Sequence, residues 1–357
     1  MNPIKVLNVY KWATMGGVER VFLNRAHAFQ KNGLQVKYDV HFIHDSGGLS
    51  RFENYLTKYN LRQSVNVVTK IDPKNYDIIL SVDTPEILDY SSDYNKIFLE
   101  CHTSYKENRS YIRKLPHNLG GVIVPSIFFE SEIRAELPSY LKDRIFRLSN
   151  FVVNHTDDLQ SNQIIYSKIP LFYLGRIDKL KNVEELIRIF ANYTKTIGEH
   201  FILILAGPII EHEINIFALI EKYNVMNGVV YLPPIDFENV NKMFKMIKLH
   251  NGIFLSSSTS ESFGLSCAEA ISNRIPVLLS AITAHTNIVE NDDRFLYKLG
   301  NIDEAAEKLH DIYQNYTEYQ QYLDRLNYKF SDIQFINEWN SFIQSINPTL
   351  SNNKSTT

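Results

Sequence analysis

The chain has 357 residues, 44% hydrophobic and 22% charged. That is the balance of an ordinary globular protein, long enough for two domains with a full core each. Thirty-seven Lys and Arg against 40 Asp and Glu leave a net charge of −3, which excludes the strongly basic face of a general nucleic-acid binder. The two cysteines, Cys101 and Cys267, lack Cys or His partners at zinc spacing; they exclude a disulfide framework, suit a reducing compartment and read as buried thiols.

The N-terminal MNPIKVLNVYKWATMGG has neither a long apolar core nor a small-residue cleavage site, so IKVLNVY reads as a first buried strand. MGGVERVFLNRAHAFQKNG then predicts a Gly-Gly turn and an amphipathic helix that buries Val18, Val21, Phe22, Ala26 and Phe29 and ends at Gly33. QVKYDVHFI, DIILSV (77–82), KIFLEC (96–101) and GGVIVPS (120–126) are further strands. Each is short, apolar and closed by a turn or polar residue, as in a parallel sheet covered by helices on both faces. After a polar, weakly periodic stretch at 152–169 the pattern restarts. Strands are predicted at 170–177, 201–207, 229–235, 252–258 and 276–280, alternating with helices in KNVEELIRIFANYTKTIG, EHEINIFALIEKYN, the segment after ESFG, and AAEKLHDIYQNY. In QFINEWNSFIQSI, Phe335, Trp339, Phe342 and Ile346 fall on one stripe, so this helix must dock on something. The expected divisions are a first α/β domain (1–160), a second (161–330), a helix docking back (331–347) and a polar tail without fixed structure (348–357). No apolar run approaches the roughly 18 residues needed to span a bilayer, so a cytoplasmic protein is expected.

In open α/β sheets ligands gather at the carboxyl ends of the strands. Four groups of residues are expected there. Glu261 and Glu269 stand eight apart in ESFGLSCAE, with a helix starting near Phe263 or Gly264. The amides of Phe263, Gly264 and Leu265 would face an anion, and the two carboxylates would accept from the hydroxyls of a sugar and of a second diol such as ribose. On the spacing alone, a helix cap and a solvated glutamate are the better account of these two residues. Arg176 and Lys181, five apart after a strand, can both reach one diphosphate, Arg as a planar fork and Lys as a point charge. Gly16 and Gly17 before a helix are a phosphate-loop signal no stronger than that of a plain strand-to-helix turn, since neither GxGxxG nor a GK[ST] follows. His102 follows the strand KIFLEC and is the best placed of the 11 histidines to face a ligand.

Taken in order, GGVER, VPS with Ser126, a strand ending at Asn150, LGRI with Lys181, LILAGP and ESFGLSCAEA resemble the GT4 family of GT-B glycosyltransferases. The resemblance spans residues 4–345 and is carried chiefly by the Glu-x7-Glu stretch with the Arg-x4-Lys upstream. It implies a GT-B fold, two Rossmann-like doubly wound domains facing a cleft. It also implies a retaining, metal-independent glycosyltransferase with no cofactor beyond a nucleotide-sugar donor, UDP-linked in the main. Arg176 and Lys181 would bind the donor diphosphate, and Glu261 the sugar hydroxyls. Ser262, Phe263, Gly264 and Leu265 would support sugar and phosphate, and Glu269 would take the ribose. Gly16 and Gly17 would let the first loop approach the donor, and His102 would match a histidine near the transferred sugar. The acceptor would be a glycan, free, lipid-linked or protein-linked, as in cell-surface polysaccharide synthesis. Three positions depart from the family: Asn182 stands where Gly is usual, Pro208-Ile209 where a second Gly is common, and Phe151-Val152-Val153 where a Gly and an Asp follow Asn150.

The absence of any Asp-x-Asp favours the metal-free reading over transferases of the other main fold. A sugar-nucleotide epimerase and a non-catalytic partner protein are the alternatives. NRSYIRKLPH, with Arg109, Arg113 and Lys114 beside Tyr111, Ile112 and Leu115, is also expected either to lie on an anionic membrane as a basic amphipathic helix or to form a solvated one.

Overall fold

A computed structural model describes residues 3–153 and 167–346. It separates them into two compact units, residues 3–153 with 331–346 and residues 167–330. The expected boundary at 160/161 and the tail at 348–357 lie outside the described residues.

The first unit begins with β1 (Ile4–Ala13), α1 (Gly17–Lys31), β2 (Val36–Asp45) and α2 (Leu49–Lys58). It continues with β3 (Ile78–Val82), β4 (Ile97–Glu100), β5 (Gly121–Val124), α3 (Ile127–Glu136) and β6 (Ile145–Arg147). The strands form one parallel sheet in the order β2-β1-β3-β4-β5-β6. All residues of β3, β4 and β5 are buried, which is why these runs read as continuously apolar. Helix α1 ends at Lys31, followed by Asn32 and a left-handed Gly33. Ser126 caps α3 by accepting from Phe129 N.

In the second unit, β7 (Ile169–Leu174), α4 (Val183–Thr196), β8 (Phe201–Ala206), α5 (Ile216–Lys222) and β9 (Val229–Leu232) run outward on one side. The chain then returns through α6 (Phe237–Leu249) to β10 (Ile253–Ser256) and proceeds with α7 (Leu265–Ser272), β11 (Val277–Ser280), α8 (Thr283–Ile288) and β12 (Leu296–Tyr297). Helices α9 (Ile302–Gln314) and α10 (Tyr316–Asp324) finish it. The strand order is β12-β11-β10-β7-β8-β9, again all parallel. β7 and β10 are therefore neighbours whose following helices leave in opposite sheet directions, a topological switch point. In the first unit β1 and β3 hold the same position.

The last helix, α11 (Asp332–Ile346), packs on the first unit although it follows the second in the chain. Its apolar stripe meets that unit's aromatic residues: Trp339 lies 4.9 Å from Phe29, Phe342 5.0 Å from Phe98 and 5.1 Å from Phe146, between ring centroids. Phe335 sits 5.0 Å from Phe151, the bulky residue that follows Asn150. Glu338 fastens the helix polar side to Arg147 Nε and Ser149 N, both at 2.6 Å.

The segment expected as a basic amphipathic helix is a kinked 3-10 stretch, Glu107–Lys114. Arg109 does not join a cationic surface: its guanidinium is fully buried, 2.5 Å from Glu132 and 2.7 Å from Glu136. Ile112 and Leu115 belong to the unit's own core. The apolar face that would have entered a lipid surface is spent on folding. No helix among the described residues is long and apolar enough to cross a membrane.

Candidate active site

In the second unit, the loops after β7 and β10 carry most of the anticipated residues, and the switch point brings them together. Lys181 Nζ is hydrogen-bonded to Glu261 Oε1, across 80 residues of sequence. Ser258 Oγ donates to the same oxygen at 2.9 Å. Buried Asp178 organises the first loop, taking Lys181 N on Oδ1 at 2.8 Å and Arg176 Nε on Oδ2 at 3.1 Å. The Arg176 side chain remains about half exposed. Ser257 Oγ ties the second loop to the first by donating to Asn182 O at 2.7 Å. Burial pushes the Glu261 carboxyl up, but the Lys181 charge and the hydrogen bonds from Lys181 and Ser258 outweigh it, holding the group below the usual carboxylate range. Glu261 is therefore an ionised acceptor beside a cation.

The turn that starts α4 accounts for one departure from the family. Asn182 has φ 52° and ψ 44°, the left-handed region where Gly is cheapest and Asn is the next best tolerated. Gly207, at the end of β8, is stricter: with φ 140°, a Cβ there would lie 1.9 Å from Gly175 O, on the backbone that leads into Arg176. Helix α7 starts at Leu265, one to two residues later than the spacing suggested, because Gly264 is its N-cap with φ 87°. Its first backbone bond runs from Ala268 N to Gly264 O at 3.0 Å, so the amides that the helix leaves to a ligand are those of Leu265, Ser266 and Cys267. Ser262 and Phe263 lie in the loop before it, the Phe263 ring edge-on to Phe330. Glu269 is buried, which removes the solvated-glutamate alternative.

A polar layer that the sequence did not announce lies behind Glu261. His285 is fully buried and bonds Ser280 O through Nδ1 at 2.9 Å, with Cys267 Sγ 3.6 Å from Nε2. Ser280 Oγ in turn donates to Ser258 O at 2.6 Å. Burial drives the His285 pKa down to about 4 against the opposing pull of Glu261, so the ring is neutral. Cys267 is a buried free thiol, raised by burial and then by Glu261, as is Cys101, raised by burial.

In the first unit, the Gly16-Gly17 turn is organised around the Glu19 side chain. Thr14 N, Met15 N and Gly16 N all donate to the Glu19 carboxylate, at 2.5, 2.8 and 3.0 Å. These three amides are thus committed to an internal anion. The signal was present in GGVER, where Glu19 at the third helical position reaches back to the N-cap amide, one half of a capping box. Gly16 is snug, its missing Cβ falling 3.1 Å from Thr14 Oγ1, while Gly17 has open space. His102 is held at the carboxyl end of β4 by two carboxylates: its N–H meets Asp83 at 3.2 Å and its Nε2 meets Glu100 at 3.1 Å. Arg25 binds both oxygens of Glu100, at 2.8 and 2.9 Å, with both side chains out of solvent. Glu100, Arg25, Asp83, Asp178 and His285 were not expected from the sequence. The only hint among them was a carboxylate closing the otherwise apolar strand IFLE.

Residues 155–330 match the family model described as glycosyl transferases group 1. A probable sucrose-phosphate synthase of Thermosipho melanesiensis is 29% identical over 188 residues, 50% of this chain and 42% of that protein. The chain therefore spans less than half the length of that relative. Among solved structures, Anabaena HepE in complex with UDP and glucose has a TM-score of 0.76 at 15% identity, covering 96% of this chain and all of that one. S. aureus TarM, in complex with fondaparinux, alpha-GlcNAc-glycerol and UDP, has a TM-score of 0.74 at 13% identity, covering 96% and 99%. At such identities these likenesses establish the fold. The unit that holds Arg176, Lys181, Glu261 and Glu269 thus carries a glycosyl transferases group 1 domain over residues 155–330, in a chain built on the GT-B fold.

Proposed function

We propose that the chain is a retaining, metal-independent glycosyltransferase that moves a sugar from a UDP-sugar to a glycan acceptor, free, lipid-linked or protein-linked. The observation that carries this reading is the meeting of Arg176, Lys181 and ionised Glu261 beside the N-terminus of α7 at the β7/β10 switch point. Breaking a sugar–phosphate bond leaves charge on a diphosphate and an electron-poor anomeric carbon. Fixed cations and helix amides are the donors that stabilise such a leaving group without reorganising. Arg176 and Lys181 take the diphosphate, aided by the amides of Leu265, Ser266 and Cys267. Glu261 accepts from hydroxyls of the transferred sugar, and Glu269 accepts from the ribose. The acceptor hydroxyl attacks on the face the diphosphate leaves, and the departing phosphate oxygen takes its proton. UDP in the HepE and TarM complexes, and UDP-glucose in a further HepE complex, support a uridine donor.

A panel of radiolabelled UDP- and GDP-sugars tests this reading. One donor should be hydrolysed slowly without acceptor, at the same rate in EDTA. Lys181→Ala and Glu261→Ala should each lower that rate about 100-fold or more, with circular dichroism unchanged. Unchanged turnover in Glu261→Ala would overturn the site. Loss of activity in EDTA would overturn metal independence. An altered sugar without transfer would indicate an isomerising enzyme, and no nucleotide binding a non-catalytic partner.

A further inference from the structure

The first unit has a switch point of its own, between β1 and β3, and an exposed indole stands at it. β3 accompanies β1 only as far as Tyr10, whereas β2 stays with it to Ala13. Lys11, Trp12 and Ala13 therefore run past β3 as one strand of a two-stranded ribbon. Trp12 lies directly opposite His44 in that ribbon, with ring centroids 4.8 Å apart and planes at 34°. The Trp12 ring is 42% exposed, while the chain's other tryptophan, Trp339, is buried. Lys11 Nζ stands 5.8 Å from the indole centroid and 2.6 Å from Oε1 of Glu86, in the turn that follows β3. Burial pushes the Glu86 carboxyl up, but the hydrogen bonds from Lys11 and from its own amide outweigh it, so the group is an ionised partner for Lys11. The Trp12 N–H and the His44 ring nitrogens have no hydrogen-bond partner among the described residues. The end of the ribbon is fixed in place. Ala13 O accepts from Ser46 N at 3.0 Å and Gly48 N at 2.9 Å, and Thr14 O accepts from Arg51 Nη2 at 3.2 Å.

A single apolar side chain on a surface needs no explanation. This ring, however, sits at the carboxyl end of a strand at a switch point, where open α/β sheets take their ligands, and polar groups surround it. That combination selects the ligand. A phosphate is disfavoured, because the neighbouring amides of Thr14, Met15 and Gly16 serve Glu19 and Glu86 adds a second negative charge. An apolar peptide would cover Lys11 and His44 without satisfying them. A pyranose matches both features. It has a face of C–H groups that stacks on an indole, and a rim of hydroxyls that each donate and accept. We propose that Trp12, flanked by Lys11 and His44, is a saccharide subsite of the first unit that takes one sugar ring of the glycan acceptor. The inference rests on the transferase reading and adds to it which residues hold the acceptor. Every group that it uses belongs to the first unit.

The two tryptophans make the test direct. The full chain labelled with 5-fluorotryptophan should give two 19F signals, and Trp12→Phe assigns them by removing one. An array of immobilised glycans is probed with the full chain, and the glycan that it retains is titrated in soluble form. The Trp12 signal should shift on binding while the Trp339 signal stays in place. Trp12→Ala should weaken binding about tenfold or more, and Trp12→Phe, which keeps a stacking ring, by no more than about threefold. An array that retains nothing, or a glycan held equally by Trp12→Ala, overturns the proposal. A Trp12 signal that moves with UDP and not with the glycan assigns the ring to a nucleotide base and overturns it as well. Transfer to that glycan with an acceptor KM that Trp12→Ala leaves unchanged removes the subsite alone. Glycan binding through Trp12 in a chain that turns over no nucleotide sugar sinks the functional reading instead and leaves a saccharide site standing.

Discussion

His285 is a buried base whose ring is neutral in the fold, and this gives the protein a pH dependence with a definite sign. Its folded pKa is about 4, against about 6.5 in an unfolded chain. Between those values the unfolded chain binds a proton that the native one lacks, so stability is complete above about pH 6.5 and falls as pH drops toward 4. The full loss is about 3 kcal/mol, of which about 2 kcal/mol falls between pH 7 and 5. Urea unfolding should show that slope in wild type and a shallower one in His285→Gln, and equal slopes would mean the ring is not buried neutral. At this scale the sequence was only partly legible. Glu261, Lys181 and Arg176 stood out through spacing, and their partners did not. Asp178 sits in an ordinary charged loop, and His285 lies 24 residues beyond Glu261 in a segment of unremarkable composition. What gives each its role is a neighbour distant in sequence, Ser280 and the Glu261 loop for one and Arg176 with the Lys181 amide for the other.

Strands were the most readable elements, because a strand buried on both faces is apolar throughout: β3, β4, β5, β8, β10 and β11 each fall inside an expected run, and β7 starts one residue before its own. Helix ends were less so. The start of α7 depends on a left-handed Gly264, and α5 is half its expected length, since EHEIN is a turn leading to an Asn215 cap. Helices α2, α6, α8 and α10 were not anticipated, although Phe237, Val240, Phe244 and Ile247 give α6 a regular apolar stripe. Glycines are where element geometry makes the sharpest forecast. Gly207→Ala puts a methyl into Gly175 O, so the end of β8 and the Arg176 loop must part; a loss of about 3 kcal/mol or more is expected. Gly17→Ala, the first residue of α1 with open space around its Cβ site, should be neutral or stabilise by up to about 1 kcal/mol. Denaturant midpoints of the two variants check this, and similar values would show that the strand-end contact is not tight.

At the scale of the whole chain, α11 belongs to a unit from which it is separated by the other. Deleting residues 331–357 uncovers the Phe29, Phe98 and Phe146 surface and takes Glu338 from Arg147 and Ser149. Burying an aromatic ring of this size is worth about 3 kcal/mol or more, so the shortened chain should bind hydrophobic dye and lose protection from protease within residues 3–153. Melting and proteolysis that match the full-length chain would show that the helix is dispensable. The amphipathic stripe of this helix was plain in the sequence, but its destination was not. By itself the sequence determined the alternation of strand and helix, the restart that makes two doubly wound units, and the residue types able to hold a diphosphate. These follow from local periodicity and side-chain chemistry, which are properties of adjacent residues. Only the tertiary structure decided that β7 lies beside β10, that Lys181 therefore meets Glu261, that Glu19 fills the first glycine loop, and that Arg25 and Glu100 stand behind His102. Those outcomes depend on strand order and on which buried charges find each other, and both are settled by packing the whole unit at once.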